Sequence, residues 1–178
     1  MTSESVYDIA YPPPRGNVLL LSCMDLRLLD DIVRFMNHDN LCNRYDQVVF
    51  AGAALGALGG PRDKKSSDSP TRPFKHWRRA FKDHVKAAIE LHNVQDIYIL
   101  EHRNCGAYSK VFGVTEEEYG ESLEEQDREN DDHFYYASKL ERLLQRWTPK
   151  VTKNGKPLPV HKFLMDLRGG VAPLKPSK

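Results

Sequence analysis

The sequence predicts an α/β protein built on a mainly parallel sheet. Two observations carry that expectation. Short continuous apolar runs, too short for a helix, recur along the chain, and between them lie longer stretches with apolar residues at three- and four-residue spacing. A strand that is apolar throughout is buried on both faces, as in a parallel sheet covered by helices.

The elements follow in order. VLLLS, Val18 to Ser22, reads as the first strand. Leu28, Leu29, Ile32, Val33 and Met36 then recur at helical spacing. Gln47 to Phe50 is a second strand, and it breaks into AGAALGALGG, a run of small residues where backbone can come close to a neighbour. Residues 61–73 form a polar, proline-containing loop, expected to be mobile. From Trp77 to His92, the residues Ala80, Phe81, Val85, Ala88, Ile89 and Leu91 make a helical apolar face. DIYIL, Asp96 to Leu100, is the third strand. The acidic stretch 120–132 reads as a solvated connection. A helix follows from His133 to Trp147 with Phe134, Ala137, Leu140, Leu144 and Trp147 inward. A turn-rich link over 148–159 leads to a last strand, Val160 to Leu167, closed by Gly169 and Gly170. Residues 1–16, with Pro12, Pro13 and Pro14, are expected to be an extended arm on a single domain spanning 1–178.

Composition excludes some classes of function. The formal net charge of +1 gives no bulk electrostatic case for nucleic acid or an anionic membrane. The basic, aromatic stretch from Arg72 to Lys82 fits an amphipathic helix with a solvated basic face better than a nucleic-acid surface. No apolar run approaches the roughly 20 residues of a membrane span, and the first residues lack the basic start and apolar stretch of a secretory signal. Three cysteines argue against a disulfide framework and for a reducing compartment, so a cytoplasmic protein is expected.

Cys23, in SCMDLR, stands at the end of the first strand; His102 and Cys105, in EHRNCGAY, stand at the end of the third. In open parallel sheets, sites form beyond the carboxyl ends of the strands. Two thiolates and one imidazole are the ligand set of a catalytic zinc site with one open position. The step from His102 to Cys105 lets both reach one ion if the chain turns into a helix there. Arg27 can keep Asp25 ionised through a charge-assisted bond. That carboxylate can then orient a zinc-bound hydroxide, or itself close the fourth position on zinc. Alone, Asp25 and Arg27 read more often as a helix-start ion pair, and the two roles can coexist. Cys42 reads as a half-buried thiol. His38, His76, His84, His92, His133 and His161 are scattered, and nothing selects a proton shuttle among them.

Cys-x-Asp-x-Arg (23–27) followed by His-x-x-Cys-Gly (102–106) resembles the signature of the β-class carbonic anhydrases. The resemblance spans 17–110 and, more weakly, the last strand. It implies a short parallel sheet, Zn2+ on Cys23, His102 and Cys105, Asp25 and Arg27 as the paired catalytic groups, and reversible hydration of carbon dioxide to bicarbonate by zinc-bound hydroxide. It also implies a homodimer or higher oligomer with the site near the subunit contact. Phe50, Leu55 and Tyr108 are candidate walls for the substrate. One departure stands out: Val49 and Phe50 occupy the place where the family carries arginine and asparagine. The alternatives are therefore hydrolysis of carbonyl sulfide or carbon disulfide, or zinc binding without catalysis.

Overall fold

A computed structural model describes residues 16–61 and 73–177. The expected arm and most of the expected polar loop lie outside the described residues. Among these, the elements are β1 (Val18–Ser22), α1 (Leu29–His38), β2 (Tyr45–Val49), α2 (Ala53–Ala57), α3 (Lys75–His92), β3 (Asp96–His102), α4 (Leu123–Trp147), β4 (Val160–Met165) and β5 (Val171–Pro173). A π-helical turn covers Ala107–Val111 and a 3-10 turn covers Thr148–Lys150.

The strands form one sheet in the order β2-β1-β3-β4-β5. β1 runs parallel to β2 and to β3, and β3 parallel to β4. β5 pairs antiparallel with β4. The fold is thus α/β with a mostly parallel sheet, as the alternation of apolar runs and helical stretches predicted. The last strand is not β4, however. The chain turns at Gly169, whose φ of +82° suits a residue without a Cβ, and returns as β5. Three residues containing Pro173 gave no strand signal because edge strands need neither length nor a full ladder.

Successive residues of a strand face opposite sides, so each strand feeds two cores. Val18, Leu20, Tyr98, Leu100, Phe163 and Met165 pack on one side with Leu28, Ile32, Phe35 and Met36 around α1. Leu19, Leu21, Ile97, Ile99 and Leu164 pack on the other with residues of α2, α3 and α4. The face of α1 differs from expectation. Phe35 is buried, whereas Leu29 and Val33 point outward with Met24 and Leu26. Likewise Leu91 is exposed at the end of α3, while Phe81, Val85, Ala88 and Ile89 are buried.

The acidic stretch is the clearest correction. It is not a solvated connection but the first three turns of α4. Ser122 caps the helix: its hydroxyl accepts from the Glu125 N–H, and the Glu125 carboxylate accepts from the Ser122 N–H. Glu124 and Glu125 lie in the first turn, where the helix dipole favours negative charge. One acidic residue of this stretch, Glu129, is buried at 2 % exposure.

Candidate metal centre

β1 sits between β2 and β3; α1, which links β1 to β2, packs on one face of the sheet, and α2 and α3, which link β2 to β3, pack on the other, so the carboxyl ends of β1 and β3 are the switch point where open parallel sheets form sites. Leu21 pairs with Ile99, which brings the ends of the two strands side by side. Cys23 follows β1 directly, and His102 is the last residue of β3. One donor atom from each of Cys23, His102 and Cys105 lies within 4.8 Å of the others, and all three residues are buried. The two sulfurs are 3.8 Å apart.

The loop from His102 to Cys105 is a tight turn rather than a helix. Asn104 takes a left-handed conformation, φ +54°, which asparagine tolerates better than most residues. His102 Nδ1 is 2.8 Å from the Arg103 carbonyl oxygen. A carbonyl can only accept, so Nδ1 carries the proton and the lone pair of neutral His102 is on Nε2. Nε2 is buried and has no hydrogen-bond partner among the described residues. A buried acceptor left without a partner is costly, and a cation shared with two sulfurs satisfies it. The donor set therefore fits zinc in ligand type and in number.

Electrostatics point the same way. The hydrogen bond from Cys105 lowers the Cys23 thiol to about 4, against burial, with help from His102 and from the Gly52 N–H. Cys105, whose proton is held by Cys23, is pushed up, and burial adds to this. Gly52 N–H donates to Cys23 Sγ over 3.3 Å, the close backbone approach that the small-residue run after β2 predicted. Gly52 has φ +68°.

Asp25 and Arg27 form an ion pair. Arg27 Nε donates to Asp25 Oδ1 over 2.9 Å, its Nη2 to Oδ2 over 2.6 Å, and its backbone N–H to Oδ1 over 3.0 Å. The same guanidinium reaches the Asn104 carbonyl oxygen at 3.1 Å, tying the first half of the site to the second. These bonds, chiefly the side-chain ones from Arg27, hold Asp25 at about 2. Asp25 Oδ2 lies 3.8 Å from His102 Nε2, beside the cluster. The pair does not cap α1: the residue before that helix is Leu28, with no side-chain cap.

The suggested substrate walls pack into the protein interior. Leu55 and Tyr108 are fully buried, and Phe50 packs against Trp77 and Phe81.

Sequence reasoning missed three residues beside the site, Glu101, Arg103 and Glu129, and did not single out His133 from the other histidines. His133 Nδ1 donates to Glu101 Oε2 over 2.9 Å, and Glu129 faces the other ring nitrogen. Burial disfavours a charged His133, but the two carboxylates overcome that and raise its pKa to about 9. The one available signal was Glu101, a carboxylate directly after the apolar run Ile97–Leu100, which demands a buried partner.

A solved carbonic anhydrase shares this architecture. A carbonic anhydrase from Glaciozyma antarctica is 12 % identical, with a TM-score of 0.50 over 93 % of this chain and 86 % of that one. At that identity the likeness is one of fold. No family model matches the chain. Two uncharacterized rickettsial proteins are similar in sequence. That of Rickettsia bellii is 29 % identical over 154 residues, 86 % of this chain and 79 % of its own. That of Rickettsia conorii is 30 % identical over 156 residues, 88 % of this chain and 70 % of its own. The chain belongs to the family of the Rickettsia conorii protein.

Proposed function

We propose that the chain is a zinc enzyme that interconverts carbon dioxide and bicarbonate, CO2 + H2O ⇌ HCO3− + H+. The observation that carries this reading is the convergence of Cys23, Cys105 and the unpartnered Nε2 of His102 beside an ionised Asp25. Cys23, His102 and Cys105 would hold the metal. A zinc ion at such a site supplies Lewis acidity that brings water within reach of deprotonation near neutral pH.

The protein's own groups have separate tasks. Arg27 keeps Asp25 a carboxylate throughout the working pH range, so Asp25 acts as an acceptor and not as an acid. With Oδ2 facing the His102 side of the cluster, it can accept a hydrogen from the attacking oxygen and turn that oxygen's lone pair toward carbon. Both Asp25 oxygens are engaged by Arg27, which favours this role over closure of the site by Asp25. Gly52 N–H stabilises the charge on the Cys23 sulfur. The released proton passes to solvent.

Val49 is 45 % exposed at the end of β2, an apolar group in place of the family's arginine, and this favours carbonyl sulfide as a second substrate to be compared. We take residues 1–178 as one domain in a reducing cytoplasm, which suits three free thiols. Met24, Leu26, Leu29 and Val33, all exposed around the loop that carries Asp25, support burial against a second copy of the chain. No helix among the described residues is long and apolar enough to cross a membrane.

The test is metal analysis of the purified protein followed by stopped-flow CO2 hydration across pH, with carbonyl sulfide hydrolysis measured alongside. One zinc per chain with turnover that rises with pH is expected. Stoichiometric zinc without turnover even at alkaline pH overturns the enzyme reading, and failure to take up zinc overturns the metal reading as well.

A further inference from the structure

Three ionisable side chains adjoin the cluster without belonging to it. Glu101 and His133 are fully buried, and Glu129 is 2 % exposed. Glu101 precedes His102 on β3, but alternation along the strand turns its carboxylate to the side covered by α2 and α4. Its Oε1 accepts the Ala54 N–H over 2.9 Å. Ala54 is two residues beyond Gly52, whose N–H holds Cys23 Sγ. Its Oε2 accepts His133 Nδ1–H over 2.9 Å. His133 Nε2 lies 3.8 Å from Glu129 Oε1, one turn earlier on α4. Glu129 accepts in turn from the Asn104 backbone N–H and, over 3.2 Å, from Arg103 Nη1.

The chain of contacts runs from the Cys23 side of the site, through three buried ionisable side chains, to the turn between His102 and Cys105. Replacing a buried ionic set by apolar side chains is often neutral or stabilising, so stability alone gives little reason for it here. Direction is what such a set adds. Glu129 fixes the peptide of Asn104, whose left-handed φ sets where Cys105 stands relative to His102.

We propose that Glu101, His133 and Glu129 form a brace that sets the spacing of Cys23 against His102 and Cys105, and so act as positioning residues for the metal. The inference rests on the zinc reading of the cluster. Ligating groups depend on their hydrogen-bonded supports, and loss of one such support costs about 10–100-fold in metal affinity.

The test compares wild type with Glu129→Gln, which keeps shape and removes the charge, and with Arg103→Gln, on a side chain 28 % exposed and so tolerant of replacement. Leu140→Ala, a buried position on the same helix away from the brace, is the control for lost stability. Zinc affinity is read by competition with a chromophoric chelator, and coordination geometry by the absorption spectrum of the Co2+-loaded protein. Glu129→Gln should weaken zinc at least about tenfold and alter the thiolate-to-cobalt bands. Arg103→Gln should do so less, and Leu140→Ala should do neither. Unchanged affinity and spectrum in both charge variants overturn the brace, as does an equal effect of Leu140→Ala. If Glu129→Gln fails to fold, Arg103→Gln alone decides. A wild-type protein that takes up neither zinc nor cobalt shows instead that the metal reading has failed, and the brace falls with it.

Discussion

Replacing His133 by glutamine should make stability depend less on pH. In the wild type, His133 lies between Glu101 and Glu129 with no exposed surface. Its pKa is raised from an ordinary 6.5 to about 9. A group whose folded pKa is raised contributes stability that is fully present below the unfolded pKa and is lost as pH rises through the folded one. The window is therefore pH 6.5 to about 9, and the amount is roughly 3 kcal/mol, at 1.36 kcal/mol per pH unit. Below pH 6.5, removing the imidazolium also leaves the buried Glu101 carboxylate without its cation and Glu129 with Arg103 alone, a loss of about 3–5 kcal/mol. That is a large part of the roughly 5–15 kcal/mol that holds a domain folded. The assay is urea unfolding followed by circular dichroism, at several pH values from 6 to 9.5, with chelator present so that metal binding adds nothing. Titration of Cys23 and Cys105 is common to both proteins and cancels in the difference. The gap between wild type and His133→Gln should be widest at pH 6 and shrink by roughly 3 kcal/mol toward pH 9.5. A gap that stays constant across this range, or that is below about 1 kcal/mol at pH 6, refutes the placement of a charged imidazole between these carboxylates.

Cys23→Ser should leave a protein that retains no zinc through dialysis, measured by atomic absorption, because a hydroxyl is a far poorer ligand than a thiolate. Asp25→Ala should retain zinc and lose about 10²–10⁴-fold in kcat for CO2 hydration; full activity would remove Asp25 from the mechanism. Because Asp25 is held at about 2, the acid limb of the pH–rate profile should keep its midpoint when Arg27→Lys lifts that carboxylate only modestly. Gly56→Ala should destabilise by about 1–3 kcal/mol in thermal unfolding. A Cβ there would lie 2.3 Å from the Ala51 carbonyl oxygen and 2.8 Å from Phe50 Cβ, neither of which can yield cheaply.

The strands and the cluster were legible for a simple reason: each rests on local chemistry. β1 and the Ile97–Leu100 centre of β3 are apolar almost throughout and buried at every position, which only a sheet covered on both faces satisfies. Thiolate and imidazole at two strand ends restrict the metal before any coordinate is known. The errors have a common cause as well. Leu29, Val33 and Leu91 fit a helical period but face outward, because spacing marks a stripe without saying what covers it. The acidic stretch looked solvated because charge normally implies water. Glu129 is buried only because Arg103 and the Asn104 peptide, far away in the chain, come to meet it.

By itself, the sequence determined where the four parallel strands lie, which side chains offer sulfur and imidazole, and that Asp25 has a guanidinium within reach. The tertiary structure alone decided the order β2-β1-β3-β4-β5, which puts Cys23 next to His102, and the burial of Glu101, His133 and Glu129 around a shared charge. The difference is physical. Apolar patterning and ligand type are properties of single residues and their neighbours, whereas the fate of a buried charge depends on partners that only the folded chain brings within reach.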